Sequence, residues 1–129
     1  RWGEEVAVEY LRRGGFEIME RNVKPVKRDG RLEIDIVARE RKTDTVVFVE
    51  VKQHAELSKY SRRLQSINKN KKKNLRIACN AWRRKRRYIG AYRFDVIEIF
   101  GTPEGGRPVI DHIERVNLFC TRERFVKWC

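Results

Sequence analysis

Residues 32–52 read LEIDIVARERKTDTVVFVEVK and give the clearest structural signal in this chain of 129 residues. Two runs with strand-like alternation, residues 32–38 and 46–52, are separated by a polar segment, residues 39–45. Alternation with a period of two on both sides of a short polar segment is typical of a β-hairpin. The sequence therefore predicts two neighbouring antiparallel strands, around which the other elements are arranged.

Three acids lie within these two runs, where a buried strand would carry apolar residues: Glu33, Asp35 and Glu50. Lys52 follows Glu50 by two positions, so the two side chains share a face of the predicted strand. With residues 41–44 as the hairpin loop, Asp35 lies opposite Glu50 and Glu33 lies opposite Lys52. A slip of one residue would move every side chain to the other face.

This register brings two carboxylates together on one face of the sheet. Directly opposed side chains have Cβ atoms about 5 Å apart, and two carboxylates that close repel each other unless something positive lies between them. A divalent cation suits that position, since Mg²⁺ takes oxygen ligands from one or two carboxylates. The alternative is an ordinary solvated sheet face, in which Lys52 forms an ion pair with Glu33. The spacing alone leaves both interpretations open.

The positive charge of the chain is concentrated in one block. The net charge is +13, and residues 59–93 hold fourteen Lys or Arg and no acid, whereas the remainder holds seventeen bases and eighteen acids. Such a block is the footprint expected of a surface that binds a polyanion, most often nucleic acid. A nuclear targeting signal or a membrane-surface helix would also explain the run RRKRR at residues 83–87, but neither would explain the acidic hairpin.

The length and composition predict a single domain spanning residues 1–129, with a tail at about 119–129 outside the core. The three cysteines are scattered and form no C-x-x-C, so neither a disulfide framework nor a zinc site is indicated, and His54 and His112 are interpreted as residues that bind no metal. No run approaches the roughly 20 apolar residues of a membrane span. We therefore expect a cytoplasmic protein that does not contact a membrane.

The remaining segments predict two helices and three further strands. The expected order is a helix at 2–13, a strand at 16–23, the hairpin, a helix at roughly 71–89, a strand at 93–100 and a short edge strand at 108–113. Glu4 lies on the stripe of the first helix that faces the core. Its role is either in a site or simply in complementing the helix dipole. Trp82, in the second helix, is interpreted as a core residue.

A helix with an inward acid, a strand with Asp and a strand with Glu-x-Lys resemble the PD-(D/E)xK nuclease superfamily, with Asp35 fifteen residues before Glu50-Val51-Lys52. A closer resemblance is to the YraN-type family of bacterial endonuclease-like proteins, which are similar to archaeal Holliday junction resolvases. The matching segments are Gly3-Glu4, Gly15-Phe16, Glu20-Arg21-Asn22, Glu33-Ile34-Asp35, Val49-Glu50-Val51-Lys52, Arg93-Phe94-Asp95-Val96-Ile97 and His112-Ile113. The chain departs from the family pattern at Leu32, where Gly is usual, and at Gln53-His54, where Thr-Arg or Ser-Arg is usual.

The resemblance implies an α/β, restriction-endonuclease-like fold: a central mixed sheet with a three-strand antiparallel meander, flanked by helices. It implies Mg²⁺ or Mn²⁺ as cofactor, without a small-molecule cofactor. The metal ligands would be Asp35, Glu50, the Val51 backbone carbonyl and Glu4. The catalytic set would comprise Lys52, Asp35, Glu50, Glu4 and Gln53, whereas Glu33 would be structural. From its own position near the start of a strand, Asp95 is either a residue that supports the site or a structural acid, as acids at strand starts commonly are.

The basic block supplies the expected nucleic-acid contacts, at Arg62, Arg63, Lys69, Lys71, Lys72, Lys73, Arg76, Arg83, Arg84, Arg86 and Arg87. We expect a metal-dependent DNA endonuclease, selective for branched or junction DNA and active as a homodimer. One alternative is a nucleic-acid binding module on the same fold with little or no catalysis. Another is a basic protein associated with RNA or the ribosome, although RNA is a less favoured partner than DNA.

Overall fold

A computed structural model of the chain describes residues 2–56 and 68–119. The elements follow the order α1 (Trp2–Arg13), β1 (Phe16–Val23), β2 (Ile34–Glu40), β3 (Thr45–His54), α2 (Lys69–Arg86), β4 (Tyr92–Phe100) and β5 (Val109–Ile113). Every predicted element is present. The main differences are that β2 lies two residues later than predicted and that α2 runs from 69 to 86 instead of 71 to 89.

The second helix ends early because Arg87 adopts the left-handed conformation, with φ at 51°. Its amide bonds to the carbonyl oxygens of Arg83 and Arg84, which satisfies two carbonyls of the last turn. The chain therefore turns away from the helix axis before Ile89, the last apolar residue of the predicted pattern, and leaves that side chain 97% exposed.

The five strands form one mixed sheet in the order β1-β2-β3-β4-β5. Neighbouring strands are antiparallel except β3 and β4, which are parallel and are joined through α2. The strands β1, β2 and β3 thus give the three antiparallel strands in sequence order that the prediction requires. The hairpin register is confirmed, since Glu40 pairs with Thr45 and residues 41–44 form the loop.

The two helices cover opposite faces of the sheet. The α1 face is closed by Ala7, Val8 and Leu11, which pack against strand residues such as Val49 and Ile97. The α2 face is closed by four helix residues that pack against Phe48, Phe94 and Val96, namely Leu75, Ala78, Cys79 and Trp82. Trp82 is a core residue, as predicted: it is 3% exposed and lies edge-on against Phe48. This α/β arrangement buries the sheet on both sides.

The core includes the first part of the segment assigned to the tail. Leu118 is 2% exposed, and Phe119 packs against Phe48 and Tyr92. Residues 120–129 lie outside the described residues. Within the two described stretches, neither helix has the length and apolar character needed to cross a membrane.

Candidate functional site

Asp35 and Glu50 lie side by side on β2 and β3, as the sequence predicts. The register pairs Ile36 with Val49, and one further step along both strands sets Asp35 opposite Glu50. The Val51 amide donates a hydrogen bond of 2.9 Å to Asp35 Oδ2, which fixes that carboxyl across the two strands. Glu50 is 2% exposed and Asp35 is half-buried. The sheet therefore holds two adjacent carboxyl groups largely away from water.

The electrostatics of this carboxylate pair are unfavourable without a cation. Burial, followed by the charge of Glu50, raises the pKa of Asp35 from 3.8 to about 7, although the Val51 amide acts in the opposite direction. Glu50 Oε1 is buried and has no hydrogen-bond partner among the described residues. A buried carboxylate oxygen without a donor costs free energy, so Oε1 is the atom of this pair whose charge is not compensated.

Two ammonium groups approach the other oxygen of Glu50. Lys52 Nζ and Lys71 Nζ each lie 3.3 Å from Glu50 Oε2. The alternative ion pair of Lys52 with Glu33 is absent, because β2 begins only at Ile34 and the Lys52 side chain turns to Glu50 instead. Lys71 reaches the site because the first turn of α2, capped by Asn68 Oδ1 on the Lys71 amide, points at the end of β3.

Glu4 lies near the carboxylate pair but is engaged with other residues. Its Oε1 accepts hydrogen bonds from Asn22 Nδ2 at 3.2 Å and from Arg21 Nη2 at 3.5 Å. Its charge contributes only the smallest of the effects that raise the pKa of Asp35. The structure therefore places Glu4 at the border of the site and not beside Asp35 and Glu50.

Gln53 does not join the carboxylates. Its side chain alternates with Lys52 and points to the α1 face, where Oε1 accepts a hydrogen bond of 3.1 Å from the Gly3 amide. A Cβ atom at Gly3 would lie 2.5 Å from that oxygen, so only glycine permits this contact. Gln53 thus satisfies a free amide in the first turn of α1.

A metal ion would find a small but suitable set of ligands here. Across residues 2–56 and 68–119, no group of three or more His, Cys, Asp or Glu side chains is arranged to hold one. Mg²⁺ needs only one or two carboxylates and otherwise keeps its waters. Asp35, Glu50 and the Val51 carbonyl fit that requirement, and the partnerless Glu50 Oε1 is the atom that a cation would satisfy.

A His–Glu pair lies on the same sheet face as Glu50 and Lys52, and the sequence gives no sign of it. His54 Nε2 lies 2.7 Å from Oε1 of Glu98, which is 1% exposed, and the imidazole stacks on Phe100. The parallel register sets Lys52 opposite Glu98, so His54 and Glu98 continue the same face of the sheet. Only the parallel pairing of β3 with β4 reveals this contact, since 44 positions separate the two residues.

Asp95 lies on the opposite face, in a network that is fully hydrogen-bonded. Arg93 Nε, His112 Nε2 and the Arg115 amide lie 3.0, 2.8 and 3.0 Å from its carboxylate oxygens. Burial would raise the pKa of Asp95, but the hydrogen bonds from His112, Arg93 and Arg115 lower it overall. Since these partners lie on the α1 face, the structure favours the structural role of Asp95 over support of the carboxylate pair.

The basic residues of α2 divide into two groups. Lys69, Lys73, Arg84 and Arg87 are exposed. Others have partners within the chain: Lys71 with Glu50, Arg76 with the Leu118 carbonyl, Arg83 with Asn80 and Arg86 with Glu20. Lys72 is half-buried, and Arg62 and Arg63 lie outside the described residues. These exposed bases therefore lie near the two ends of α2, and Lys71 in its first turn contacts the carboxylate pair.

The family model described as "Uncharacterised protein family UPF0102" matches residues 3–99. The chain belongs to this family. A UPF0102 protein from Geobacter metallireducens is 42% identical over 112 residues, which is 86% of this chain and 84% of the relative. A UPF0102 protein from Syntrophomonas wolfei is 35% identical over 119 residues, covering 92% and 94% of the two chains.

The family match confirms the predicted YraN-type assignment. Residues 3–99 contain both carboxylates and both lysines of the candidate site, and the match ends within β4, before the edge strand β5. The residues that build the site therefore all lie in the matched part of the chain.

Proposed function

We propose that this UPF0102 protein is a metal-dependent DNA endonuclease of the PD-(D/E)xK type, on a restriction-endonuclease-like fold. The observation that supports the proposal is the carboxylate pair itself. Asp35 and Glu50 are adjacent on two strands, the pKa of Asp35 is raised to about 7, and Glu50 Oε1 is buried without a partner. Perturbed carboxyl groups of this kind cluster at functional sites more often than in structural ion pairs.

The roles follow from the positions of the side chains. Asp35, Glu50 and the Val51 carbonyl would hold Mg²⁺ or Mn²⁺, which when bound polarises a scissile phosphate and lowers the pKa of a water molecule. Lys52, with its ammonium group 3.3 Å from Glu50, is placed to stabilise the negative charge that develops on the phosphate. Lys71 neutralises Glu50 from the helix side and is available to contact the next phosphate along the strand.

The exposed bases of α2 would hold the DNA through its backbone. Such contacts position the duplex without reading its sequence, and the affinity falls steeply as salt rises. This mode suits an enzyme that selects DNA by shape, such as branched or junction DNA, in the cytoplasm. A homodimer would supply the two cuts that a symmetrical junction needs.

A binding module without catalysis is the second candidate, and one observation favours it. Glu50 Oε2 already has two ammonium partners, so the site is partly neutralised without a metal ion. In that case the carboxylate pair would be structural and α2 alone would carry the function.

Cleavage of labelled DNA separates the two candidates. A four-way junction, a flap, a single strand and a plain duplex are incubated with Mg²⁺, with Mn²⁺ or with chelator, and a structured RNA is included. We expect metal-dependent cuts in branched DNA, which fall by about 100-fold or more in Lys52→Ala. Lys42→Ala is the matched control, since it removes the same charge from an exposed position in the hairpin loop, away from α2.

Binding without cuts in either metal would contradict the endonuclease and favour the binding module. A preference for the RNA would contradict both DNA functions. The ranking of the four DNA substrates identifies the shape that the enzyme selects.

A further inference from the structure

A pocket lies at the C-terminal end of α2, and the carboxylate pair is not part of its lining. Its volume is about 500 Å³, within the range of small-ligand sites. The residues that define its chemistry are Asn80, Arg83, Arg84, Arg87, Tyr88 and Tyr92. No acid is found among the described residues that line it. The pocket thus combines guanidinium groups with aromatic rings.

The early end of α2 builds this pocket. Because the backbone of Arg87 adopts the left-handed conformation, the chain reverses and brings Tyr88 and Tyr92 beside the last turn of the helix. The Tyr88 ring packs edge-on against Trp82, and its hydroxyl donates a hydrogen bond to the Ala91 carbonyl. The aromatic wall is therefore held in place by the core and by the backbone.

Arg83 forms a flat, preorganised surface in the pocket. Its guanidinium carbon lies 3.8 Å from the centre of the Tyr92 ring, and Nη1 donates a hydrogen bond of 3.0 Å to Asn80 Oδ1. The Nε atom is buried and has no hydrogen-bond partner within the described part of the chain. A guanidinium held against an aromatic face is a platform on which an unpaired base can stack.

The charges of the pocket favour a nucleotide over a simple anion. The carbonyl end of a helix repels a bare phosphate, and the nearby carbonyls of Arg83 and Arg84 already accept the capping amide of Arg87. Arg84 and Arg87 are exposed and offer flexible cations at the rim. A ligand with a flat base and a phosphate would stack its base on Arg83 and place its phosphate near Arg84 and Arg87.

We propose that this pocket binds one unpaired nucleotide of a DNA substrate. The inference rests on the proposed function for its substrate class and adds the feature that would select branched DNA. Bases inside a duplex are stacked and paired, and removing one from the stack costs free energy. An unpaired base can therefore enter the pocket at a lower cost than a paired one. Arg83 lies twelve positions after Lys71, which is about 18 Å along α2, or about five base pairs of DNA.

Binding in chelator tests the pocket separately from cleavage. Two labelled duplexes differ only in a single extrahelical 2-aminopurine, and both are titrated with the full chain. We expect the bulged duplex to bind about tenfold more tightly and the 2-aminopurine fluorescence to be quenched on binding. Arg83→Lys keeps the charge but removes the flat surface, so it should lose this preference and keep its affinity for the paired duplex.

Two further variants control for folding and for charge. Arg12→Lys makes the same chemical change at an exposed position on α1, outside the pocket, and should retain the preference. Arg87→Asn removes a rim cation while keeping a residue that tolerates the left-handed conformation, and it should weaken binding of the bulged duplex more than Lys85→Gln does. The thermal midpoint of each variant is measured in the same buffer.

Equal affinity of the wild type for the two duplexes would overturn this inference, as would an equal loss for both in a folded Arg83→Lys. Absence of binding to either duplex would overturn the DNA function as well. Selective binding of the bulged duplex by a protein that never cuts DNA would support the pocket and contradict the endonuclease.

Discussion

Two aspartates on opposite faces of one sheet differ in how their charges are satisfied. Asp95 is fully buried and receives hydrogen bonds from Arg93, His112 and the Arg115 amide, and its pKa is lowered. Asp35 is half-buried, and its pKa is raised to about 7 by burial first and by the charge of Glu50 second, because its one amide donor does not offset them. Burial alone does not set the direction of a pKa shift; the donors around the group do.

The same difference distinguishes the network around Asp95 from the carboxylate pair. The network around Asp95 links three strands and α1, since Arg93 also reaches Glu40 and His112 reaches Tyr10. The carboxylate pair leaves Glu50 Oε1 without a partner and so lowers stability. This oxygen lies on β3, the central strand of the sheet, and it is the atom on which the metal site proposed above depends.

The largest expected effect is that two Asp-to-Asn substitutions differ in what they change: one reduces cleavage and the other reduces stability. Asp35→Asn should reduce metal-dependent cleavage by about 100-fold or more, because it removes a metal ligand, and should leave thermal stability at pH 7 unchanged or higher. Asp95→Asn should lower the free energy of unfolding by about 3 kcal/mol, because it leaves the buried Arg93 charge underpaired. Cleavage assays and denaturant unfolding of both variants check this.

Equal effects of the two variants on cleavage and stability would contradict this distinction between Asp35 and Asp95. A large loss of stability in Asp35→Asn would make the carboxylate pair structural. Loss of cleavage in a fully folded Asp95→Asn would show that the α1 face contributes to the reaction.

The pH dependence of stability gives a smaller effect with a defined sign. Asp35 has a folded pKa of about 7 and an ordinary value of 3.8, so between these the folded state binds more protons. In chelator, this residue should therefore make stability fall as pH rises from about 4 to 7, by at most about 1.4 kcal/mol per pH unit. Asp95, with its lowered pKa, contributes stability that is lost as pH falls below its ordinary value of 3.8.

Denaturant unfolding of the wild type and Asp35→Asn across this range isolates the contribution of Asp35. The difference between the two free energies should grow as pH rises towards 7 and then level off. A difference that does not change with pH would show that Asp35 ionises normally in the folded protein.

The smallest effect concerns Gln53, which the sequence assigns to catalysis and the structure assigns to α1. Gln53→Ala should cost about 1 kcal/mol of stability, through the lost bond to the Gly3 amide, and should leave cleavage unchanged. Gly3→Ala should be destabilising in the wild type and much less so in Gln53→Ala, since the added Cβ would otherwise meet Gln53 Oε1. Additive costs in this double-mutant cycle would contradict the contact.

Local signals made much of the fold predictable. The pair Gly14-Gly15 ends α1, and the polar loop at 41–44 with alternation on both sides fixes the register that sets Asp35 opposite Glu50. These features depend on neighbouring residues, so a single sequence contains them.

The contacts that could not be predicted join distant segments. The parallel pairing of β3 and β4 brings Glu98 to His54, and the orientation of α2 brings Lys71 to Glu50. Asp95 looked like a candidate for the site because the sequence shows an acid on a strand but not the face that its partners occupy. The end of α2 at Arg87 depends on a left-handed residue, and arginine gives no signal for that conformation.

Thermal unfolding with and without Mn²⁺ or Mg²⁺ at pH 7.5 tests the central claim most directly, because it needs neither DNA nor turnover. We expect either ion to stabilise the wild type, by about 2.7 kcal/mol at a metal concentration 100 times the dissociation constant. Asp35→Asn should lose this shift, whereas Asp95→Asn should retain it. A thermal unfolding midpoint of the wild type that neither metal changes, or an equal shift in Asp35→Asn, would contradict a metal site at Asp35 and Glu50.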